Sequence, residues 1–330
     1  MLTLASLIAI TAALIWLSVL SRRAKGPFVR RFGASLAALS AAAFALLSAV
    51  TIAGLYKLHS RTAPVPQLTV ASTPEQVSRG RAIATNFCAS CHSKTGPLTG
   101  GWDIGKDFSV PVGSFVSSNL TPGGPLRHWS DGEVFRAIRN SIDADGHWLY
   151  VMSLTNVGKL SDDDIKSLIA YLRSLPPAGQ ETAGPPDRLN PLGVVMLGAN
   201  PLGVVMLGAG LLPKGRQVFT GVITSPSKGP TAQYGEYIAS YLDCRPCHGN
   251  DLSGGVPGQL APLGPDLHLV REWKREEFIK TMRTGIDPGG HELDGKLMPW
   301  RDIGKMDDDE LTALYEYLTR LPSAQHGVAN

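Results

Sequence analysis

The chain opens on two apolar runs without a charged side chain, Met1 to Ser21 and Phe32 to Tyr56. At ~1.5 Å per helical residue, either is long enough to cross a hydrocarbon layer of ~30 Å. Between them, Arg22, Arg23, Lys25, Arg30 and Arg31 place five positive charges in a short loop. Short basic loops stay cytoplasmic, so residues 1–61 are predicted to form two transmembrane helices with both chain ends outside the cell membrane. A cleaved signal peptide is the competing reading. It fits less well, because residues 1–20 lack a basic start and the second run ends Ala53-Gly54-Leu55-Tyr56-Lys57 without a small-x-small cleavage site.

Beyond residue 61 the pattern changes to short helical periods broken by Gly and Pro. Ile165, Leu168, Ile169 and Leu172 fall on one helix face, and Leu311, Leu314, Tyr315 and Leu318 on another. Both helices begin in acids, at Ser161–Asp164 and Asp307–Glu310, and both meet Pro just after Leu175 and Leu321. These paired helices belong to an internal repeat. Trp129, Arg139, Ile142 and Asp143 recur at Trp273, Arg283, Ile286 and Asp287, an offset of 144 residues. After a two-residue slip, Met152, Lys159, Tyr171 and Pro176 recur at Met298, Lys305, Tyr317 and Pro322. The repeat predicts a mostly α chain: an anchor over 1–61, helical domains over 73–177 and 231–323, and a Pro/Gly-rich linker over 178–230. Gly80 and Gly235 would let each domain's first helix cross its last closely, near Tyr171 and Tyr317.

The net charge of +3 hides an asymmetry. Seven basic residues and no acid lie within 1–61, leaving 24 basic against 28 acidic groups in the rest. A folded part with a slight acidic excess is not that of a nucleic-acid binder. Four cysteines are too few for a disulfide scaffold at this length.

Those cysteines all fall in two motifs, Cys88-Ala-Ser-Cys91-His92 and Cys244-Arg-Pro-Cys247-His248. C-x-x-C-H is the attachment motif of c-type haem. Two thiols on one helical turn can bond both vinyl groups of one porphyrin, and the next residue, His92 or His248, then ligates the iron. A redox dithiol does not need the histidine, and a zinc site would have to bring the two pairs together and leave both histidines over. The order helix, motif, helix, Met, helix is that of a class I cytochrome c, repeated once. Met152 and Met298 are the expected second iron ligands, with His147 and His128 as rivals to Met152. A thioether raises the haem potential and closes the iron to small molecules, which suits electron transfer and not catalysis. Arg139 and Arg283 are possible propionate partners, and Trp102, Trp129 and Trp273 could edge the haems or simply pack in the core.

The stretch from Ser118-Asn119-Leu-Thr-Pro122 through Trp129-Ser-Asp, Leu149-Tyr150-x-Met152 and Leu160-Ser-Asp to Ala170-Tyr-Leu-Arg-Ser-Leu-Pro-Pro177 resembles the cytochrome c subunits of membrane-bound alcohol and aldehyde dehydrogenase complexes. The two motifs set the number of haems at two, and the resemblance implies an electron carrier on the periplasmic side of a bacterial inner membrane. It would take electrons from a periplasmic dehydrogenase subunit, or another donor, and pass them to a cytochrome, quinone or terminal oxidase. The chain departs from that family in having two haem motifs where three are frequent, two spans where one is usual, and Met152-Ser where Met-Pro is expected. The second half is equally similar to the dihaem subunit of cbb3-type cytochrome oxidases. A dihaem peroxidase or thiosulfate dehydrogenase would need one iron that opens or carries an unusual ligand, and two methionines argue against it.

Within the linker, Asn190-Pro-Leu-Gly-Val-Val-Met-Leu-Gly-Ala199 is followed at once by a second copy, 200–209. A third span here would put Cys244 in the cytoplasm, so it is rejected. Repeated Gly and Pro also make a poor helix. The segment is expected either to strap over both haem domains or to offer an apolar contact to a partner subunit or the membrane surface.

Overall fold

A computed structural model describes residues 4–182, 184–199, 218–257, 259 and 262–322. The chain divides into two compact units, one of Met1–Arg61, Gly105–Ser114 and Arg188–Lys214, the other of Thr62–Ile104, Phe115–Asp187 and Gly215–Asn330.

In the first unit, α1 (Leu4–Arg22) and α2 (Ala34–Ser60) are long and apolar enough to cross a membrane, each with a mean hydropathy of 2.2. They pack as a hairpin. Ala34, Ala37 and Ala41 are buried along α2, small enough for the backbones to approach, and the Ser18 hydroxyl donates to the Ala34 carbonyl at 3.0 Å. A third helix, α7 (Pro191–Ala199), lies against the far end of α2. Here the structure corrects two expectations for the repeated segment. Its first copy is helical, and it packs on α2, so it is not a strap over the haem domains. The helical start has a local cause: Asn190 is the N-cap, its Oδ1 accepting from Gly193 N at 2.9 Å, and Pro191 takes the first helical position, where no N–H is needed. The second copy lies outside the described residues.

The second unit holds both halves of the repeat. In the first half, α3 (Pro74–Ile83) runs through a loosened turn, Ala84–Cys88, into the short α4 (Ala89–His92), followed by α5 (Asp131–Asn140) and α6 (Asp162–Ser174). The second half repeats this as α8 (Ala232–Tyr241), α9 (Arg245–His248), α10 (Arg275–Thr284), α11 (Trp300–Ile303) and α12 (Asp308–Thr319). Ser161 and Asp307 cap the closing helices, accepting from Asp164 N at 3.1 Å and Glu310 N at 2.9 Å. A two-stranded ribbon, β1 (Gly113–Phe115) with β2 (Asp187–Leu189), is the sheet among the described residues.

The predicted crossing recurs in both halves. A Cβ on Gly80 would overlap the Ser167 carbonyl oxygen and come within 2.8 Å of Tyr171 Cβ. A Cβ on Gly235 would overlap the Ala313 carbonyl oxygen and come within 2.8 Å of Tyr317 Cβ. The halves also share one core, with Ile83, Leu168 and Ile169 of the first in the same apolar cluster as Tyr237, Ile238 and Leu311 of the second.

The predicted linker over 178–230 is therefore several things. Its first residues lie along the first half, where Asn119 Nδ2 donates to the Ala178 and Gln180 carbonyls at 2.7 and 3.0 Å. Residues 188–199 belong with the anchor. After 217 the chain returns along the first half, Phe219 N donating to Asn140 Oδ1 at 2.7 Å and Asp162 N to the Ile223 carbonyl at 2.8 Å.

Candidate functional site

The first motif enters its site through backbone bonds that skip five residues, Ala89 N donating to the Ala84 carbonyl. Such loosened turns are frequent at functional sites, because they re-aim side chains without breaking the helix. The second motif enters differently. Its spacing from Gly235 is one residue longer, and Asp243 stands there in the left-handed conformation with φ 63°.

All four cysteines are unbridged. Burial pushes the Cys88 thiol up to about 12 and the Cys244 thiol up to about 11. A dithiol redox centre needs the opposite, a stabilised thiolate. The thiols thus sit where burial favours uncharged sulfur, as in a thioether.

Each motif histidine is committed in the same way. The His92 ring is buried and its Nδ1 lies 2.7 Å from the Ser118 carbonyl; the His248 ring is buried and its Nδ1 lies 2.8 Å from the Pro265 carbonyl. A carbonyl can only accept, so Nδ1 carries the proton and Nε2 keeps its lone pair. Metal-ligating histidines are oriented in this manner. Burial holds the His92 pKa below its ordinary value, against the Ser118 bond, which favours the protonated form.

A cavity of about 260 Å³ lies beside His92. Its lining includes Cys88, Cys91, His92, Met152, Trp129 and Asp187. Of the three rivals for a second ligand in the first half, the cavity lining takes in Met152. His147 turns to the Asp143 carboxylate at 3.1 Å, and His128 accepts from Arg127 Nε at 2.7 Å. In the second half, Met298 is partly buried against the shared core. Gly264 presses on the His248 ring so closely that a Cβ there would stand 2.7 Å from its Nδ1. The donor set of the first half, two cysteine sulfurs, an imidazole with a free Nε2 and the Met152 thioether along one cavity, fits haem c, and the cysteines and imidazole of the second half repeat it.

Arg139 and Arg283 do something other than expected. Arg139 donates to the Gly158 and Leu160 carbonyls and pairs with Asp162, while Arg283 donates to the Gly304 carbonyl and pairs with Asp308 at 2.9 Å. Both therefore pin the chain just before the closing helix, and neither is free to reach a propionate. Trp129 lines the cavity, whereas Trp273 gives its carbonyl to the Tyr315 hydroxyl at 2.9 Å.

Three further residues stand at the site. Asn119 is fully buried and ties the loop carrying the Ser118 carbonyl to the chain after α6. Asp187 lines the cavity, accepts from Val151 N at 3.1 Å, and is raised to about 6 by burial. Asp243, next to Cys244, lines the cavity of the other half and accepts from Asn156 Nδ2. Asn119 stands in the stretch that carries the family resemblance, whereas Asp187 and Asp243 belong to no motif and leave no signal in the sequence. Phe87 and Tyr241, beside the two motifs, meet edge to face with ring centres 6.3 Å apart.

The cytochrome c family model matches residues 77–176, and the model for cbb3-type cytochrome c oxidase subunit III matches residues 230–318. The chain is 28% identical to one of the subunits of nicotinate dehydrogenase from Pseudomonas putida, over 82% of this chain and 23% of that protein. It is 24% identical to a diheme cytochrome c-type protein of Cereibacter sphaeroides, over 84% of this chain and 97% of that one. It is 26% identical to the cytochrome c subunit of a quinone alcohol dehydrogenase from Gluconacetobacter polyoxogenes, over 77% and 58%. The chain thus spans about a quarter of the first relative, over half of the third, and nearly all of the diheme protein. The resemblance to cytochrome c subunits of dehydrogenase complexes holds.

Proposed function

We propose that the chain is a membrane-anchored dihaem cytochrome c, with class I domains over 73–177 and 231–323, that relays single electrons on the periplasmic side of a bacterial inner membrane. One observation supports this most strongly: in both halves the motif histidine's Nδ1 is spent on a backbone carbonyl, leaving Nε2 for iron. When bound, haem c supplies a one-electron Fe(III)/Fe(II) couple. Cys88 and Cys91 would hold one haem and Cys244 and Cys247 the other. His92 with Met152, and His248 with Met298, would be the ligands that hold the iron. The protein's own contribution is burial, ligand choice and docking. Phe87 against Tyr241, and Asp243 in the first cavity's wall, bring the two motifs' surroundings together, which suits passage between haems.

The donor in this reading is a periplasmic dehydrogenase, as the names of the relatives suggest, and the acceptor a cytochrome, quinone or oxidase. The match of residues 230–318 to a cbb3 oxidase subunit favours a second reading, a dihaem subunit of such an oxidase. Purification in mild detergent separates them. A co-purifying dehydrogenase supports the first, and haem-copper subunits the second. Replacing Cys88 and Cys91 together by Ala should remove one covalent haem and leave one; two haems per chain by pyridine haemochrome would sink the attachment assignment.

Met298→His should lower the potential of one haem and Met152→His that of the other. Imidazole donates more strongly than a thioether and favours Fe(III). A change of a few kcal/mol would appear as a drop of ~100 mV or more, since ~59 mV is a factor of ten for one electron. Redox titration reads this directly. An unchanged pair of potentials in Met152→His would make Met152 a packing residue.

A further inference from the structure

Helix α7 has the features of a helix in hydrocarbon. From Pro191 to Ala199 it carries no polar side chain. Its ends are closed. Asn190 takes the first turn, Oδ1 accepting from Gly193 N at 2.9 Å and the main-chain oxygen from Val194 N at 3.0 Å. Asn190 in turn donates through Nδ2 to the Pro111 carbonyl at 2.6 Å and through N to the Val112 carbonyl at 3.0 Å. At the other end the Lys57 ammonium donates to the Leu197 carbonyl at 3.0 Å and the Gly198 carbonyl at 3.4 Å. In water an end without such a cap costs only ~1 kcal/mol. In lipid each unsatisfied backbone group costs several kcal/mol.

The helix also sits at membrane depth. A Cβ on Gly54 would overlap the Val194 carbonyl, and one on Gly198 would overlap the Val50 carbonyl, so α7 and α2 touch backbone to backbone around residues 50–54. Midway between Arg31 and Lys57 is residue 44. At ~1.5 Å per residue, Val50 is ~9 Å and Gly54 ~15 Å from that midpoint, within or at the edge of a ~30 Å hydrocarbon core. The nine described residues of α7 rise ~14 Å, about half the thickness of such a core. Leu192, Val195, Met196 and Ala199 recur at helical spacing and are not buried, with Leu192 47% exposed. This face continues the surface of a span.

We propose that α7 is a membrane-embedded helix, seated on α2 in the outer half of the bilayer, with its Leu192–Val195–Met196 face on lipid acyl chains. The inference rests on the two-span reading of α1 and α2 and adds a third embedded segment.

Nitroxide labels on Leu192→Cys and Met196→Cys test it, in the full holoprotein reconstituted into phosphatidylcholine vesicles. Leu46→Cys reports the span and Asp163→Cys the water, both being exposed positions. Power saturation compares dissolved oxygen, which concentrates in hydrocarbon, with a polar nickel chelate, which does not enter it. The expected result is oxygen access severalfold above nickel access at 192, 196 and 46, and the reverse at 163. Nickel access prevailing at 192 and 196 while 46 reads lipid overturns the embedded helix and leaves the anchor standing. Low access to both reagents there means a protein covers α7, and overturns it equally. An aqueous signal at 46 removes the anchor reading itself.

Discussion

Gly235→Ala, the addition of one methyl group, is expected to dismantle the second cytochrome half. The added Cβ would overlap the Ala313 carbonyl oxygen and press on Tyr317 Cβ at 2.8 Å. The obstacle is backbone on α12, so no rotamer change relieves it, and α8 and α12 have to separate. Overpacking a core costs ~1–3 kcal/mol and occasionally more; a backbone-to-backbone overlap belongs at the top of that range. Since that crossing carries Ile238, Leu311 and Leu314 into the core, haem content of the Cys244–His248 site should fall while that of Cys88–His92 persists. Gly80→Ala should do the converse through the Ser167 carbonyl. Gly221→Ala is the control, with nothing within 4 Å of the new Cβ, and should lie within ~0.5 kcal/mol of the parent. Covalent haem per chain and thermal unfolding of the three variants decide it. A Gly235→Ala protein with full haem and an unchanged transition would mean that the crossing is looser than described.

These glycines are legible in the sequence because a repeat compares the chain with itself. Each glycine precedes a Cys-x-x-Cys-His by eight or nine residues, and each Tyr stands in a closing helix at the same offset. The two apolar spans and the acid-first closing helices are legible for a similar reason, since length, period and capping are local properties. Pairing at a distance is not. Arg139 and Arg283 stand out as a repeated pair, but their targets do not, because carbonyls at Gly158, Leu160 and Gly304 leave no mark on the side-chain pattern. The helix at Pro191 escapes for a different cause. Gly and Pro read as breakers there, while Asn190-Pro191 is a helix start and Gly198 the point of contact with α2. Asp243 is beyond reach because it serves the other half's cavity.

The interface between the halves shows how a repeat diverges. Asp164 and Glu310 occupy equivalent places, each the third residue of a closing helix. Arg79 reaches both. It forms two bonds to Asp164 at 2.8 and 2.9 Å and one to Glu310 at 2.5 Å. The equivalent of Arg79, immediately before the crossing glycine, is Tyr234. A second arginine there would bring two cations to one pair of carboxylates; an aromatic ring packs instead. The Tyr237 hydroxyl completes the cluster, donating to Asp164 Oδ2 at 2.5 Å and accepting from Ser161 N at 2.8 Å. Burial alone would lower the Arg79 pKa, but the bonds and charge of Asp164 raise it, so the guanidinium stays charged at any working pH.

Arg79→Met should therefore cost far more than a surface ion pair. Glu310 is 1% exposed and Asp164 7%, so losing the guanidinium strands two carboxylates away from water. Breaking a buried pair from one side costs ~3–5 kcal/mol, mostly the penalty on the charge left behind. At ~2–4 °C per kcal/mol for a body of this size, the melting transition of the haem-bearing unit should fall by ~10 °C. One further result separates this from lost packing. Adding Asp164→Asn and Glu310→Gln to Arg79→Met should recover most of the deficit, since both replacements keep the shape and remove the stranded charge, and Asn can still accept from Tyr237. A deficit that survives the triple replacement would mean that Arg79 works through its aliphatic stem alone, and the halves would then be held together by their shared apolar core.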